Sequence, residues 1–259
     1  MSSASASRLV PAVERATRLV DALAAAGRPL ALADLARDLD LPKSSVHGLL
    51  GTLVSLGLAR RDGDGRFALG ARPLQWADAF ANQSGLMRAF ERHAGEFPAL
   101  HAETVMLAVL DGAHVSYLAC RQGTRPLAVN FRVGGRFPAA CTSSGKAMFA
   151  SLPEARVRAL VRDTGIARLT RRSVASAPAL LRQLEEVRAR GYAIDDEETA
   201  EGMQCFGAPV FGLGRSEAVA AVAVSLIKAG LTARRRDEII RAITGLASAI
   251  SAQLGAPPA

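Results

Sequence analysis

Between Leu41 and Val54 the apolar residues Val46, Leu49, Leu50 and Leu53 follow i, i+3, i+4, i+7 spacing, which sets four side chains on one face of a helix. The opposite face is polar or bare: Ser44, His47, Gly48, Gly51 and Thr52. Pro42 suits the first helical position, where a missing N–H loses no intrahelical bond. Lys43 and Ser44 follow it, where the unpaired N–H groups of a helix start attract a phosphate. The pattern predicts a helix with one face on a small core and the other turned to an anionic surface.

The segments around it read the same way. Val13 to Ala26 carries an apolar stripe of Val13, Ala16, Leu19, Val20 and Leu23, with Gly27 as its stop. A shorter helix spans Leu32 to Leu39, and Asp40-Leu41 turns into the third, which is helix-turn-helix order. Downstream, Leu58 to Arg61 and Arg66 to Leu69 flank Asp62-Gly63-Asp64-Gly65, a hairpin signal that makes a wing. Its Arg60, Arg61 and Arg66 are placed to reach phosphates or a minor groove beside a recognition helix. Residues 11–70 are therefore read as a winged helix-turn-helix DNA-binding domain, after a disordered Ser/Ala tail at 1–10. Base readout falls to Ser44, Ser45, His47 and Thr52, and Gly48 lets the backbone lie close to the groove. Residues 71–85 form a linker helix whose apolar side, Leu74, Trp76, Ala77 and Phe80, is expected to pack on a second subunit; Trp76 filling its own subunit's core is the alternative.

Residues 86–259 change period. A helix over Leu86 to His101 gives way to strands at Val105 to Leu110, Val115 to Arg121 and Pro126 to Val133. Short helices are predicted over Lys146 to Ser151 and Pro153 to Val161, and a clear one over Pro178 to Arg190, with Ser176 as cap and Gly191 as stop. Strands follow at Tyr192 to Asp196, Cys205 to Phe211 and Val219 to Ser225, before a terminal helix over Asp237 to Leu254. Two groups of strands with helices between them argue an α+β domain around one largely antiparallel sheet.

Composition narrows the class. The chain has 259 residues, 49% of them hydrophobic, enough for a well-buried core and a small second domain. A net charge of +8 points to an acidic partner, with nucleic acid the commonest, although an arginine-rich composition also serves solubility alone. Cys120, Cys141 and Cys205 are too scattered for a disulfide framework or a zinc site, so no metal or cofactor is expected. The longest apolar run, Ala218 to Ile227, is about half a membrane span, and the first residues lack the pattern of a signal peptide, which places the chain in the cytoplasm with no membrane partner.

Five segments, in order, carry a family resemblance: Leu41 to His47, Gly65 to Gly70, Ser144 to Ala147, Arg190 to Glu198 and Gly202 to Cys205. Through them the chain resembles the IclR family of bacterial transcriptional regulators from about Val13 to its end. The resemblance implies a winged helix-turn-helix joined by a linker helix to a GAF-like effector-binding domain. It also implies a homodimer or homotetramer on a double-stranded DNA operator, and a small-molecule effector, a carboxylate or aromatic metabolite, that shifts the arrangement of the two DNA-binding heads, with repression the expected mode and activation the alternative. By matching position the effector pocket would be lined by Ser143, Ser144, Asp195, Met203, Cys205, Ala223 and Ser225. Residues 143–146 would then form a helix start whose Gly145 and Lys146 N–H groups suit a carboxylate. Taken alone these residues have plainer readings: Cys205 as inert core, Met203 as packing, and Asp195 to Glu198 as a solvated loop.

Gly48 and Gly51 depart from the family, which commonly has long or polar residues there, and Ala223 replaces a hydroxyl. Two other classes stay open. Ser143-Ser144-Gly145-Lys146 has the Ser-x-x-Lys spacing of penicillin-recognising enzymes, though no Ser-Asp-Asn accompanies it. A winged helix can also bind protein, as a scaffold does. The regulator reading assigns no catalytic residue.

Overall fold

The computed structural model describes residues 10–124 and 131–257. The chain forms two compact units, Met1–Gln83 and Ser84–Ala259, each with its own core.

In the first unit α1 (Pro11–Ala26), α2 (Leu32–Asp38) and α3 (Lys43–Ser55) surround a core of Leu19, Leu23, Leu35, Val46, Leu50 and Leu53. Val46, Leu50 and Leu53 are fully buried and Leu49 partly so, which follows the predicted stripe. Pro42 sits one position outside the expected place: it is the N-cap, and the helix opens at Lys43. Val10, expected in the tail, caps α1. Strands β1 (Ala59–Arg61) and β2 (Phe67–Leu69) pair antiparallel as the wing. Its turn is closed by the Asp62 carboxylate, which accepts from the Asp64 and Arg66 N–H groups. Leu30 and Phe67 exchange two backbone bonds of 2.8 Å and pin the wing to the α1–α2 loop. Helix α4 (Arg72–Gln83) follows, its first residue bonded to the Leu56 carbonyl.

In the second unit the strands β3 (Thr104–Asp111), β4 (His114–Arg121), β5 (Arg136–Pro138), β6 (Ala193–Asp196), β7 (Met203–Val210) and β8 (Ala220–Ile227) make one antiparallel sheet in the order β5-β4-β3-β8-β7-β6. One face packs on α6 (Ser143–Ser151), α7 (Glu154–Thr164) and α8 (Ala177–Arg190); the other packs on α5 (Gly85–His93) and α9 (Ala233–Gln253). Alternation along each strand sorts the two cores, as in β8, where Ala221 and Ala223 face α6 while Val222 and Val224 face α9.

Several boundaries differ from the sequence reading, each for a local reason. The predicted helix to His101 ends at His93; Gly95 and Pro98 interrupt it, and only a 3-10 turn at Pro98–Leu100 follows. Helix α6 starts three residues early because Thr142 caps it, and α9 starts at Ala233 because Thr232 does. The strand expected over 126–133 lies mostly outside the described residues; its described end, Phe131 to Val133, is not strand, and the sheet edge is β5. Among the described residues no helix is long and apolar enough to cross a membrane.

Candidate functional site

Helix α3 presents its outer face to solvent. Lys43, Ser44, His47, Gly48, Gly51 and Thr52 are all exposed, and Ser45 is half-buried. Added side-chain carbon at Gly48 or Gly51 would meet nothing within 4 Å, so no internal contact requires either glycine. Thr52 Oγ1 donates to the Gly48 carbonyl at 3.1 Å, which commits its proton and leaves only acceptor capacity outward. The exposed Arg60 and Arg66 extend from the wing, whereas Arg61 folds back with its guanidinium 5.7 Å from the Phe67 ring. Among the described residues Lys43, Arg60 and Arg66 have no carboxylate partner, so these cations remain free for an external anion.

The second site is a row across the sheet. Register places Asp195 opposite Cys205, Cys205 opposite Ser225, and Ser225 opposite Thr104, so four strands contribute one line of polar side chains. All four are buried, Asp195 at 2% exposure. Cys205 Sγ donates to Ser225 Oγ at 3.2 Å. Ala223 lies one row along, opposite Gly207, and Met203 lies at the sheet end opposite Ile227, half-buried. Helix α6 crosses above the row with its first turn on Gly207. A side-chain carbon there would come within 2.6 Å of the Ser143 carbonyl carbon, so only glycine admits this approach.

The free N–H groups differ from those expected. Thr142 satisfies both Gly145, through its Oγ1 at 3.0 Å, and Lys146, through its carbonyl. Among the described residues the N–H groups of Ser143 and Ser144 have no acceptor, so they are the pair left to an anion. The Tyr117 phenol lies beside the Ser144 hydroxyl, yet no group stands at hydrogen-bonding geometry to the buried Ser144 Oγ.

The Asp195 to Glu198 run is not a solvated loop. Asp195 Oδ1 accepts from the N–H groups of Glu198 at 2.7 Å and Thr199 at 3.2 Å. Glu198 is buried and pairs with the Lys146 ammonium, itself 1% exposed and also bonded to Gln183. Burial lifts the Asp195 carboxyl above the usual aspartate range, against the pull of Thr199 and Lys146. Burial likewise raises Glu198, an effect Lys146 opposes, and holds the Cys205 thiol well above its ordinary value. Cys205 is thus a neutral thiol in the wall of the site. Lys146 contacts Glu198 and Gln183, not the Ser143 hydroxyl that an acylating Ser-x-x-Lys pair would need.

Sequence reasoning missed Thr104, Glu198 and the Lys146 side chain. The buried pair had one signal, the shared 190–198 and 144–147 segments; Thr104 had none, since strand register alone brings it into the row.

A winged helix-turn-helix with free cations, in one chain with a unit holding a buried polar site under a helix start, defines a DNA-binding regulator with a sensing domain. Residues 12–63 match the IclR helix-turn-helix domain, and residues 79–252 match the C-terminal domain of the bacterial transcriptional regulator IclR. The chain belongs to the IclR family of DNA-binding transcriptional regulators, a family of regulators and not of enzymes. It is 33% identical to the probable transcriptional regulator SauR of Cupriavidus necator, over 85% of this chain and 88% of that one. The crystal structure of the Agobacterium tumefaciens repressor BlcR is 36% identical, with a TM-score of 0.60 over 95% of this chain and 97% of that one. An IclR homologue from Microbacterium hydrocarbonoxydans, solved in complex with 4-hydroxybenzoate, shares the fold at 23% identity and a TM-score of 0.77, over 94% of this chain and 99% of that one.

Proposed function

We propose that this regulator is a repressor whose second unit binds a small carboxylic acid, aliphatic or aromatic, and thereby changes operator affinity. The effector carboxylate sits on the N–H groups of Ser143 and Ser144, and its body lies along Asp195, Met203, Cys205, Ala223 and Ser225. The observation that carries this reading is the pair of unanswered N–H groups above a fully buried polar row. Three features support it: the positive end of α6 favours an anion, the orphan Ser144 hydroxyl offers a further bond, and Tyr117, Phe131 and Phe137 form an aromatic cluster with centroids 5.3–5.8 Å apart. The Microbacterium protein, bound to an aromatic carboxylate, is a precedent in the same fold.

Lys43, Ser44 and the wing arginines Arg60 and Arg66 bind phosphates, while Ser45, His47 and Thr52 read bases beside the bare Gly48. Helix α4 supplies the subunit contact of a homodimer or homotetramer, because Leu74, Trp76 and Phe80 stand 73%, 54% and 54% exposed along it. Effector binding acts by population shift, favouring one arrangement of paired heads over another.

The test is the thermal stability of the protein against a panel of small and aromatic carboxylates, repeated on Ser225→Ala and Ser144→Ala. A ligand at 100 times its dissociation constant adds about 2.7 kcal/mol of stability. A compound that stabilises the parent and is weakened in both variants upholds the reading. A stabilising compound indifferent to both variants places the effector elsewhere and refutes it.

A further inference from the structure

Strand β7 outruns its edge neighbour. Strand β6 pairs with it only from Gln204 to Gly207, so Ala208 to Val210 have no strand on that side, and Pro209 has no N–H to leave unpaired there. The flanking layers continue past this point, with α6 and the end of α8 over one face and α9 over the other. Between them lies a cleft of about 760 Å³, the size of a small-molecule site. It takes no residue of the polar row described above; the half of α6 that lines it is Ala147, Ala150 and Ser151.

The walls are mostly apolar, and the hydroxyls of Ser151, Thr244 and Ser251 are committed inward, while the exposed Ser248 hydroxyl faces solvent. Ser251 Oγ accepts from the Phe211 N–H and donates to the Ala247 carbonyl. Ser151 Oγ accepts from the Ala218 N–H and donates to the Met148 carbonyl, and Thr244 donates to the Ile240 carbonyl. The charge in the lining is of one sign: Arg188, Arg190 and Arg215, with no carboxylate among the described lining residues. Arg190 stacks 4.9 Å from the Tyr192 ring and faces Glu186. Arg188 bonds the Ala150 carbonyl through Nε only, and no side-chain partner of Arg215 occurs among the described residues. Both are exposed, at the margin of the cleft. An apolar chamber whose inner hydroxyls are satisfied, edged by the uncompensated guanidinium groups of Arg188 and Arg215, is complementary to an amphipathic anion.

We propose that this cleft is a second ligand site, separate from the α6 N-terminus, that binds a medium-chain acyl carboxylate with its chain in the chamber and its carboxylate on Arg215 and Arg188. The occupant is a free acid of this class, and the test separates it from a second copy of the chain.

Decanoate, with 1-decanol as the uncharged control, is titrated calorimetrically into the full-length protein and into Arg215→Glu, Ser248→Trp and Ser225→Ala. Ser248 is exposed on the α9 wall, so tryptophan there fills the cleft without entering a core, and circular dichroism confirms that each variant is folded. The expected result is decanoate binding in the parent, weakened about tenfold in Arg215→Glu and in Ser248→Trp, unchanged in Ser225→Ala, with 1-decanol weaker than decanoate by a similar factor. No decanoate binding, binding indifferent to both cleft variants, or binding lost in Ser225→Ala alone would overturn the proposal. Equal binding of the alcohol would remove the role of the arginines and overturn the ligand class. A change of oligomeric state in Ser248→Trp, read by analytical ultracentrifugation, would make the cleft a contact between copies and overturn it as well.

Discussion

Helices α3 and α6 open with almost the same residues, Lys43-Ser44-Ser45 in one and Ser143-Ser144-Gly145-Lys146 in the other, and the fold puts them to opposite use. Helix α3 lies on the surface of a small core, so its lysine and first serine face water and are held by nothing. Helix α6 is buried along nearly its whole length, so its serines lose water and its lysine needs an internal counter-charge, which Glu198 provides. The same residue types therefore stand open to water at one helix, and form a closed and partly unsatisfied polar cluster at the other. Burial, not residue type, separates the two roles.

Removing each lysine breaks this comparison most sharply. Lys146→Met should destabilise the second unit by about 3–5 kcal/mol in urea denaturation, because it strands the buried Glu198 carboxylate, and Lys146→Met with Glu198→Leu should recover most of that loss. Lys43→Met should change stability by no more than about 0.5 kcal/mol, while lowering DNA affinity and reducing the salt slope of binding by about one.

The glycines give the next largest contrast. Gly207→Ala should cost about 1–3 kcal/mol by pushing the Ser143 backbone off the sheet, and should weaken effector binding with it. Gly48→Ala meets open space within a helix, so it should stabilise the first unit by about 1 kcal/mol. If Gly48 serves close approach to the groove, Gly48→Arg weakens operator binding and alters base preference; unchanged preference would remove that role.

The smallest effect is a pH dependence. Asp195 has a raised carboxyl value in the fold, so the protonated form is favoured there. Its contribution to stability is fully present below the unfolded aspartate value and is lost as pH rises through the raised one. The stability of the parent relative to Asp195→Asn, which keeps the Oδ1 acceptor for Glu198 and Thr199, should therefore fall as pH rises through that window.

The first unit was legible because its signals are local. The spacing of Val46, Leu50 and Leu53 marks the buried side of α3, and Asp62 to Gly65 marks the wing turn. The second unit was legible as strands and helices, less so as a site. Asp195, Cys205 and Ser225 entered through family resemblance, since side chains 10 and 20 positions apart meet only once register is set. Glu198 read as part of a solvated loop because charged residues usually face water, and only the packing of α6 on β7 and α8 makes it a buried pair with Lys146. The helix start was misplaced because Thr142 was not recognised as its cap, which in turn misassigned the free N–H groups to Gly145 and Lys146.

The central claim, that an effector carboxylate rests on the first turn of α6, is tested most directly by amide chemical shifts. The isotope-labelled protein is titrated with the acid that most stabilises it in the thermal panel. The account predicts that the Ser143 and Ser144 amide protons shift furthest, downfield as they take up an acceptor. If both stay in place while amides elsewhere move, the carboxylate binds another site and the claim is wrong.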